Sequence, residues 1–217
     1  MKKIPFLLLV IGLLTWACST DSESDDTGNR PIPEARTPIP DANFEAALVE
    51  LDLDDVVDGS VLTSRIEFVQ NLNVSNKGIE NLSGIEGFKA LVDLNVRENS
   101  LGSINISGNT DLLFLWAADN ELTQLVIGTN PNIEKVELSG NRIGSLNVSE
   151  YTTLQLLDVR ENEITAIDVS TLPLPTFNEF RVEGNPLTCI LVSPEQLEAI
   201  PASWTKDEED SYSLDCE

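Results

Sequence analysis

The sequence predicts a solenoid of about six coils built from short parallel β-strands, because one pattern recurs from Val69 to Val192. Six registers follow one another at spacings of 22, 21, 21, 21 and 23 residues. Apolar residues occupy places 1, 4, 6 and 11 of each register, and Asn occupies place 9 of the last five. A period near 21 returns the chain to the same point once per coil, so the strands are expected to stack in parallel. The registers begin at Val69, Leu91, Leu112, Ile133, Leu154 and Phe177.

The alternation at places 4 to 6 predicts a short strand in each coil. Apolar places 4 and 6 point to one side, so places 3, 5 and 7 point to the other. Place 9 leaves the strand and turns inward, where backbone groups need hydrogen-bond partners. An Asn side chain is both donor and acceptor, so it can join neighbouring coils inside an apolar core. The first register has Lys77 at place 9, and because Lys only donates, an irregular first coil is predicted there. The predicted Asn ladder consists of Asn99, Asn120, Asn141, Asn162 and Asn185.

These registers resemble the leucine-rich repeat, LxxLxLxxNxL, over about 125 of the 217 residues. Cores such as LVDLNVRENSL and IEKVELSGNRI carry the resemblance, and second halves such as LGSINISGN resemble the LxxLxVSxN form of short bacterial repeats. The resemblance implies a solenoid of the α/β class, with strands on the concave side and an irregular or 3-10 convex side. A single repeat cannot fold alone, so residues 69–192 need capping segments at both ends.

The N-terminal residues 1–17 have the composition of a lipoprotein signal peptide. Two lysines precede an apolar run, Ile4–Leu14, that is too short to span a bilayer. Ala17 before Cys18 resembles a lipidation motif, so Cys18 is the expected lipid-anchored residue. An ordinary signal peptide with an incidental Cys is the alternative, and either one exports the chain.

Residues 18–40 are predicted to be an acidic, flexible tether, because they are polar and contain almost nothing apolar to bury. The acidic run behind Cys18 resembles the lipoprotein export signals of Bacteroidota. That resemblance implies a lipid anchor in the outer membrane and display at the cell surface. A generic solvated linker on a periplasm-facing protein is the alternative.

Residues 41–68 are predicted to form an N-terminal helical cap. Asp41 can cap a helix at about 42–51, in which Phe44 and Leu48 recur at helical spacing. The order of helix, short connector and first register resembles the cap of internalin-type proteins. Such a helix would cover the open apolar end of the solenoid.

Residues 193–217 are predicted to form a C-terminal cap that a disulfide closes. Ser193 is expected to cap a helix through a capping box, and the apolar side chain of Trp204 can cover the last coil. Cys189 and Cys216 lie in this terminal part of an exported chain, so they are expected to pair.

The composition excludes several classes of function. The chain has 13 basic and 37 acidic residues, a net charge of −24. Removing residues 1–17 leaves 11 basic and 37 acidic residues, a net −26 that repels nucleic acid and restricts membrane contact to the lipid. His is absent, which excludes His-based catalysis, His metal sites and a His pH switch. The acidic segment Asp52–Gly59 fits a calcium loop in neither register, so no metal and no cofactor is predicted.

The exposed strand face at places 3, 5 and 7 is the predicted binding surface. It carries four basic and five acidic side chains, a net −1, whereas the rest of the exported chain carries 7 basic and 32 acidic residues, a net −25. Phe114 and Trp116 stand two residues apart at its centre, among basic side chains, a composition typical of binding hot spots. The predicted ligand-contacting residues are Arg97, Phe114, Trp116, Lys135, Glu137, Leu156, Asp158, Arg160 and Arg181.

Two other interpretations of this face are open. Side chains on a twisted sheet also pack on one another without any ligand. Glu137 and Asp158 share place 5 on adjacent strands, near the carboxyl separation of a retaining glycosidase. A shallow open face excludes no water, so no enzymatic activity is predicted.

The resemblance to internalin-type proteins implies a protein ligand, bound by a non-enzymatic module on the cell surface. The scaffold alone does not determine the ligand. Glycan capture, with Trp116 as a stacking platform, is one alternative. A structural envelope protein without a specific ligand is the other.

Overall fold

The structure is a computed structural model that describes residues 34–216. The predicted signal peptide (residues 1–17), the lipidation site Cys18 and residues 19–33 of the tether lie outside the described residues. In the described part, short strands alternate with turns along the whole repeat region. No helix of residues 34–216 is both long and apolar enough to cross a membrane.

An N-terminal cap precedes the repeats. Its elements are strand β1 (Arg36–Pro38), helix α1 (Ala42–Glu50), strand β2 (Ser60–Leu62) and helix α2 (Thr63–Ile66). Asp41 caps α1 as predicted, because one of its carboxylate oxygens accepts hydrogen bonds from the N–H groups of Asn43 and Phe44, each at 2.9 Å. The other oxygen accepts from the N–H groups of Glu80 and Asn81 at 2.8 and 2.9 Å. One side chain therefore joins the cap to the first coil.

The predicted tether of residues 18–40 is too long at its C-terminal end. β1 pairs antiparallel with β2, with Thr37 opposite Val61, and Ile39 is fully buried. Thr37 and Ile39 alternate with outward-facing prolines, a pattern that an edge strand tolerates because its outer N–H groups need no partner. The folded domain therefore includes residues 34–40.

Two buried carboxylates lie in the N-terminal cap, those of Glu45 and Asp54. Glu45 accepts hydrogen bonds from the N–H groups of Asp58, Gly59 and Ser60 at 2.8–3.0 Å. Neither carboxylate oxygen of Asp54 has a hydrogen-bond partner among residues 34–216. Burial raises the pKa of the Asp54 carboxyl above its ordinary value.

We expect Asp54→Asn to raise the free energy of unfolding at pH 7 by about 1 kcal/mol, because it removes a buried, unpaired charge. The raised pKa of Asp54 means that protonation favours the folded state. The loss of stability caused by the Asp54 charge is therefore absent below the pKa of Asp in the unfolded chain, about 3.9. It develops as the pH rises through the higher pKa that Asp54 has in the folded protein. Urea unfolding of both proteins at pH 7 and at about pH 3.5 checks this expectation. A stabilisation of equal size at both pH values would contradict it.

The repeats form two separate stacks of parallel strands. Places 3 to 5 of all six registers form strands of one seven-stranded sheet, as predicted. Second halves of some coils form a shorter stack, which is divided into a two-stranded and a three-stranded sheet. The convex half of the first coil contains a 3-10 helix at Ile85–Gly87. The strands are β3 (Asn71–Asn73), β4 (Asp93–Asn95), β5 (Ser103–Asn105), β6 (Phe114–Trp116), β7 (Gln124–Val126), β8 (Lys135–Glu137), β9 (Leu156–Asp158), β10 (Ala166–Asp168), β11 (Glu179–Arg181) and β12 (Cys189–Leu191).

The core lies between these stacks, and the predicted Asn ladder runs through it. The apolar side chains at places 4 and 6 are buried in every coil. Asn141 is representative of the ladder, because its Oδ1 accepts from Leu122 N at 2.9 Å and its Nδ2 donates to Ala117 O at 3.0 Å, both in the preceding coil. Its Nδ2 also donates to Leu138 O of its own coil at 2.9 Å. The residues that bond the preceding coil in the same way are Asn99, Asn120, Asn162 and Asn185.

The predicted irregularity of the first coil at Lys77 is wrong. Asn76 has a φ of 54°, the same as Glu98 at the equivalent place of the next coil. The backbone N–H of Lys77 donates to Asn99 Oδ1 at 3.0 Å, and its ammonium group pairs with Glu50 of α1. A ladder Asn serves the coil before it, and the first coil has no coil before it. The first register therefore does not need Asn at place 9.

The C-terminal cap extends both stacks. Its elements are helix α3 (Pro194–Glu198) and strands β13 (Trp204–Thr205) and β14 (Tyr212–Ser213). β13 pairs in parallel with β11, and β14 pairs in parallel with β12. Trp204 is buried with its ring centroid 5.1 Å from that of Phe177 and 5.5 Å from that of Phe180, as expected for a cover of the last coil. The predicted disulfide between Cys189 and Cys216 is present.

Candidate binding surface

The outward side of the seven-stranded sheet, hereafter the strand face, carries the candidate residues in two rows. Neighbouring strands are in register and lie about 4.8 Å apart. Side chains at one place are therefore direct neighbours from coil to coil. The place-3 row contains Asp93, Phe114, Lys135, Leu156 and Glu179, and the place-5 row contains Asn95, Trp116, Glu137, Asp158 and Arg181.

Trp116 is the centre of a packed cluster on the strand face. Its Nε1 donates to Asp93 Oδ1 on the neighbouring strand at 2.9 Å. The Phe114 ring stacks beside it, with 6.4 Å between centroids and 25° between planes. Arg97 Cζ lies 4.8 Å from the indole centroid, and its guanidinium pairs with Glu137. Because Arg97 and Glu137 belong to the coils on either side of Trp116, their ion pair crosses the indole and holds it.

A second cation covers the other aromatic ring. Lys135 Nζ lies 5.7 Å from the centroid of the Phe114 ring, within the range of a cation–π contact. Leu156 follows Lys135 along the place-3 row and is half-buried. The aromatic centre is therefore partly exposed, with a cation against each ring.

Asp158, predicted as a ligand contact, is buried instead, with only 1% of its surface exposed. Arg160 Nε donates to its two carboxylate oxygens at 2.9 and 3.1 Å, and Arg160 Nη2 donates to Oδ2 at 2.6 Å. Arg181 Nη1 contacts the same Oδ2 at 3.5 Å. The hydrogen bonds that the Arg160 guanidinium donates to the Asp158 carboxylate raise the pKa of Arg160. Asp158 therefore positions two half-buried arginines and does not itself reach the surface.

The carboxylates of Glu137 and Asp158 do not form a free pair. The two residues are opposite each other on β8 and β9, as the spacing predicted. Glu137 is bound by Arg97, and Asp158 is bound by Arg160. Hydrolysis by paired carboxyls requires one carboxyl that donates a proton and one that is free to act as nucleophile or base. Each of these two carboxylates instead forms an ion pair with an Arg side chain.

A polar cleft of about 210 Å³ opens beside Trp116, toward the first coil. Its lining includes Arg97 and Trp116, which were predicted as ligand contacts, and four polar residues of the strand face that were not. No aromatic or basic residue type distinguishes them, and their only signal was the place they share with Phe114 and Trp116. These residues are Asn71, Asn73, Asp93 and Asn95.

The sequence matches no protein-family model and no curated protein. The structure is similar to the functional domain of InlJ from Listeria monocytogenes, which includes a cysteine ladder. The two sequences are 19% identical, the match covers 83% of this chain and 48% of that chain, and the TM-score is 0.49. A leucine-rich repeat protein of Leptospira interrogans is 18% identical over 70% of this chain and 46% of its own, with a TM-score of 0.48. The internalin InlF of Listeria monocytogenes is 16% identical over 81% and 73%, with a TM-score of 0.37. The chain spans about half the length of the first two proteins.

The chain is a leucine-rich repeat solenoid. Its repeat spacing, its in-register parallel strands and its buried Asn ladder each agree with that class. The resemblance of the sequence to the leucine-rich repeat is therefore confirmed at the level of the fold.

Proposed function

We propose that this chain is a non-enzymatic binding module that recognises a protein ligand through its strand face. The observation that carries the proposal is the cluster around Trp116, a partly exposed aromatic pair framed by Arg97 and Lys135. Aromatic and Arg side chains at the centre of a surface are the residues that contribute most to protein–protein affinity. The strand face has a net charge of −1 in an exported chain of net −26, so it is the surface that repels an approaching acidic protein least.

The long side chains of this face are held in place before any ligand arrives. Arg97 is held by Glu137 and Trp116, and Arg160 is held by Asp158. Arg181 pairs with Glu179 and also contacts Asp158. Immobilising a flexible side chain at an interface costs about 0.5–1.5 kcal/mol. Contacts that already restrict these three arginines reduce that cost, which favours recognition by a preformed surface.

Glycan capture is the second candidate function. The polar cleft beside Trp116 favours it, because the amides of Asn71 and Asn73 can bind sugar hydroxyls. Against it, a sugar stacks on an open indole face, and the guanidinium of Arg97 lies over the Trp116 ring. A structural envelope protein without a ligand remains the third candidate, and it requires no particular contact on this face.

We also propose that the module is lipid-anchored at Cys18 in the outer membrane and displayed at the cell surface by the acidic residues that follow. The support is the signal-like N-terminus, the Ala17–Cys18 pair and the acidic run behind it. A periplasm-facing anchor is the alternative. The net charge disfavours nucleic acid and anionic lipid as ligands, so the membrane contact of the proposal is the lipid alone.

A pull-down from outer-membrane and extracellular extracts tests the protein-binding proposal. The bait is residues 34–217, which keeps β1 in the fold. We expect wild type to retain a protein partner that the Phe114→Ala/Trp116→Ala double variant loses, because the variant deletes the aromatic centre. Circular dichroism and thermal unfolding verify that both baits are folded.

Phe68→Ala is the matched control, because Phe68 is a 78% exposed aromatic outside the strands of the strand face. It should capture the same partner as wild type. Equal capture by the double variant, or equal loss in Phe68→Ala, would contradict a site at the aromatic centre. Oligosaccharides that alter Trp116 fluorescence, with no protein captured, would favour the glycan candidate.

A further inference from the structure

The second stack of strands is interrupted at the fourth coil. β5 pairs with β7, and β10 pairs with β12, but Ser145–Asn147 between them forms no strand. Within residues 34–216, no backbone hydrogen bond joins Ser145–Asn147 to either neighbouring coil. Coils on both sides keep such bonds, for example from Ile106 N to Val126 O at 2.9 Å. The interruption is therefore local.

The interruption coincides with the loss of a second column of buried amides. Asn130 Nδ2 donates to Asn109 O of the preceding coil at 3.3 Å and to Leu112 O at 2.8 Å. One coil earlier, Asn109 Nδ2 donates to Ile85 O and Phe88 O of the first coil at 2.9 and 3.0 Å. At the same spacing the fourth coil has Tyr151, whose single hydroxyl cannot donate two such bonds. That hydroxyl binds Gly128 O at 3.2 Å instead. Tyr151 thus replaces the residue type that joins neighbouring coils.

Clefts lie on both sides of Ser145–Asn147. The cleft toward β7 has a volume of about 350 Å³, and the cleft toward β10 has a volume of about 420 Å³. Val126 of β7 lines the first cleft and is 47% exposed, at a place where the neighbouring coils have the polar residues Asn105 and Asn147. An exposed apolar side chain therefore borders the cleft toward β7.

The free edge of β7 presents backbone groups to this cleft. Val126 O accepts from Ile106 N, on the side of β5. Successive residues of a strand direct their backbone groups to opposite sides, so the N–H and C=O of Leu125 face away from β5. Within the described residues 34–216, neither group of Leu125 has a hydrogen-bonded partner. An unpaired edge of this kind accepts another extended chain.

The charge of the cleft restricts what can occupy it. Glu150 lies in its lining, and the lining residues of this cleft include no Lys or Arg. The whole chain has a net charge of −24, so little nearby charge compensates Glu150. An occupant with a basic side chain is favoured, whereas the acidic residues 18–33 of the chain itself would be repelled.

We propose that the free edge of β7 binds an extended segment of another protein in which apolar and basic side chains alternate. The segment pairs its backbone with Leu125, packs an apolar side chain against Val126 and directs a basic side chain toward Glu150. The site is separate from the strand face, and the proposal does not depend on the function of that face.

Selection of short random peptides displayed on phage tests this site. The selection uses residues 34–217 as the target and Tyr151→Asn of the same fragment for counter-selection. Asn at this position supplies the two donors that Asn130 supplies one coil earlier, so it should restore the amide column and draw Ser145–Asn147 onto β7. The substitution leaves the net charge unchanged, so non-specific electrostatic attraction of basic peptides is the same for wild type and Tyr151→Asn.

We expect the enriched peptides to alternate β-branched residues with Lys or Arg, and to bind wild type at least about tenfold more tightly than Tyr151→Asn. Tyr151→Phe keeps the ring and should retain binding. The Leu125 amide should exchange with solvent more slowly when such a peptide is bound. Equal binding to Tyr151→Asn, or unchanged exchange at Leu125, would overturn the proposal. A dimer of wild type that Tyr151→Asn abolishes would also overturn it, since a second copy would then occupy the edge.

Discussion

Asn141→Ala should lower the free energy of unfolding by about 3 kcal/mol or more, one of the largest effects of any substitution in this chain. The side chain binds Leu122 N, Ala117 O and Leu138 O, all within the core. Each buried backbone group left without a partner costs about 1–3 kcal/mol. Urea unfolding monitored by circular dichroism measures the loss. Because repeats are stabilised by their neighbours, the coils on both sides of Asn141 should loosen together.

Asn105→Ala is the matched control for this prediction. Asn105 is an exposed Asn of the same repeats, and among residues 34–216 its Oδ1 accepts only from the backbone and hydroxyl groups of Ser107. Its loss should cost less than about 1 kcal/mol, since solvent replaces those bonds. Similar losses for Asn141→Ala and Asn105→Ala would mean that the ladder does not stabilise the solenoid.

Trp204→Ala should lower the free energy of unfolding by about 3–5 kcal/mol, the range for truncating a buried aromatic side chain. Trp204 packs edge-on against Phe177 and Phe180 and lies 5.9 Å from the Tyr212 ring. Burial raises the pKa of Tyr212 to about 12. Without the indole, Tyr212 should become exposed and its pKa should fall toward about 10, the ordinary value.

Denaturant unfolding and a spectrophotometric titration of the tyrosines measure the two effects of Trp204→Ala. Trp116→Ala is the control, because Trp116 is only half-buried and lies away from the C-terminal cap. It should leave the pKa of Tyr212 unchanged and cost less stability. An unchanged pKa of Tyr212 in Trp204→Ala would show that the indole does not bury the Tyr212 ring.

The regular part of the fold could be predicted from the sequence, because it follows from a repeated physical requirement. The Asn ladder satisfies the same buried backbone groups in each coil, so Asn recurs at place 9 in five registers. The strands at places 3 to 5 follow from the alternation of buried and exposed side chains. Trp204 was predictable because a solenoid must cover its apolar end. The Cys189–Cys216 pair was predictable because both cysteines lie in one terminal segment of a chain expected to be exported.

The irregular parts could not be predicted from pattern alone. β1 lies within a Pro-bearing segment whose alternation of Thr37 and Ile39 is too short to stand out. The second amide column is present in the sequence as Asn109 and Asn130 at a spacing of 21. It was not recognised as a repeat because Tyr151 replaces the amide in the next coil. It resumes only in the C-terminal cap, with an amide from a different residue type, Gln196.

Contacts on the strand face depend on side-chain directions that a row of residues does not specify. The sequence placed Asp158 among exposed neighbours, whereas Arg160 and Arg181 fold over it. It likewise gave no sign that Arg97 would cross the Trp116 ring to reach Glu137, two coils away. Rows on the face were therefore predictable, and the ion pairs that organise them were not.

Quenching of Trp116 fluorescence tests the central claim, that the strand face is the recognition surface, most directly. The sequence has three tryptophans, and Trp16 lies in the predicted signal peptide. In residues 34–217 with Trp204→Phe, Trp116 is therefore the single tryptophan. If the strand face binds the protein captured in the pull-down, saturation with that protein should make Trp116 markedly less accessible to acrylamide. Unchanged quenching at saturation would contradict the claim and place recognition elsewhere on the solenoid.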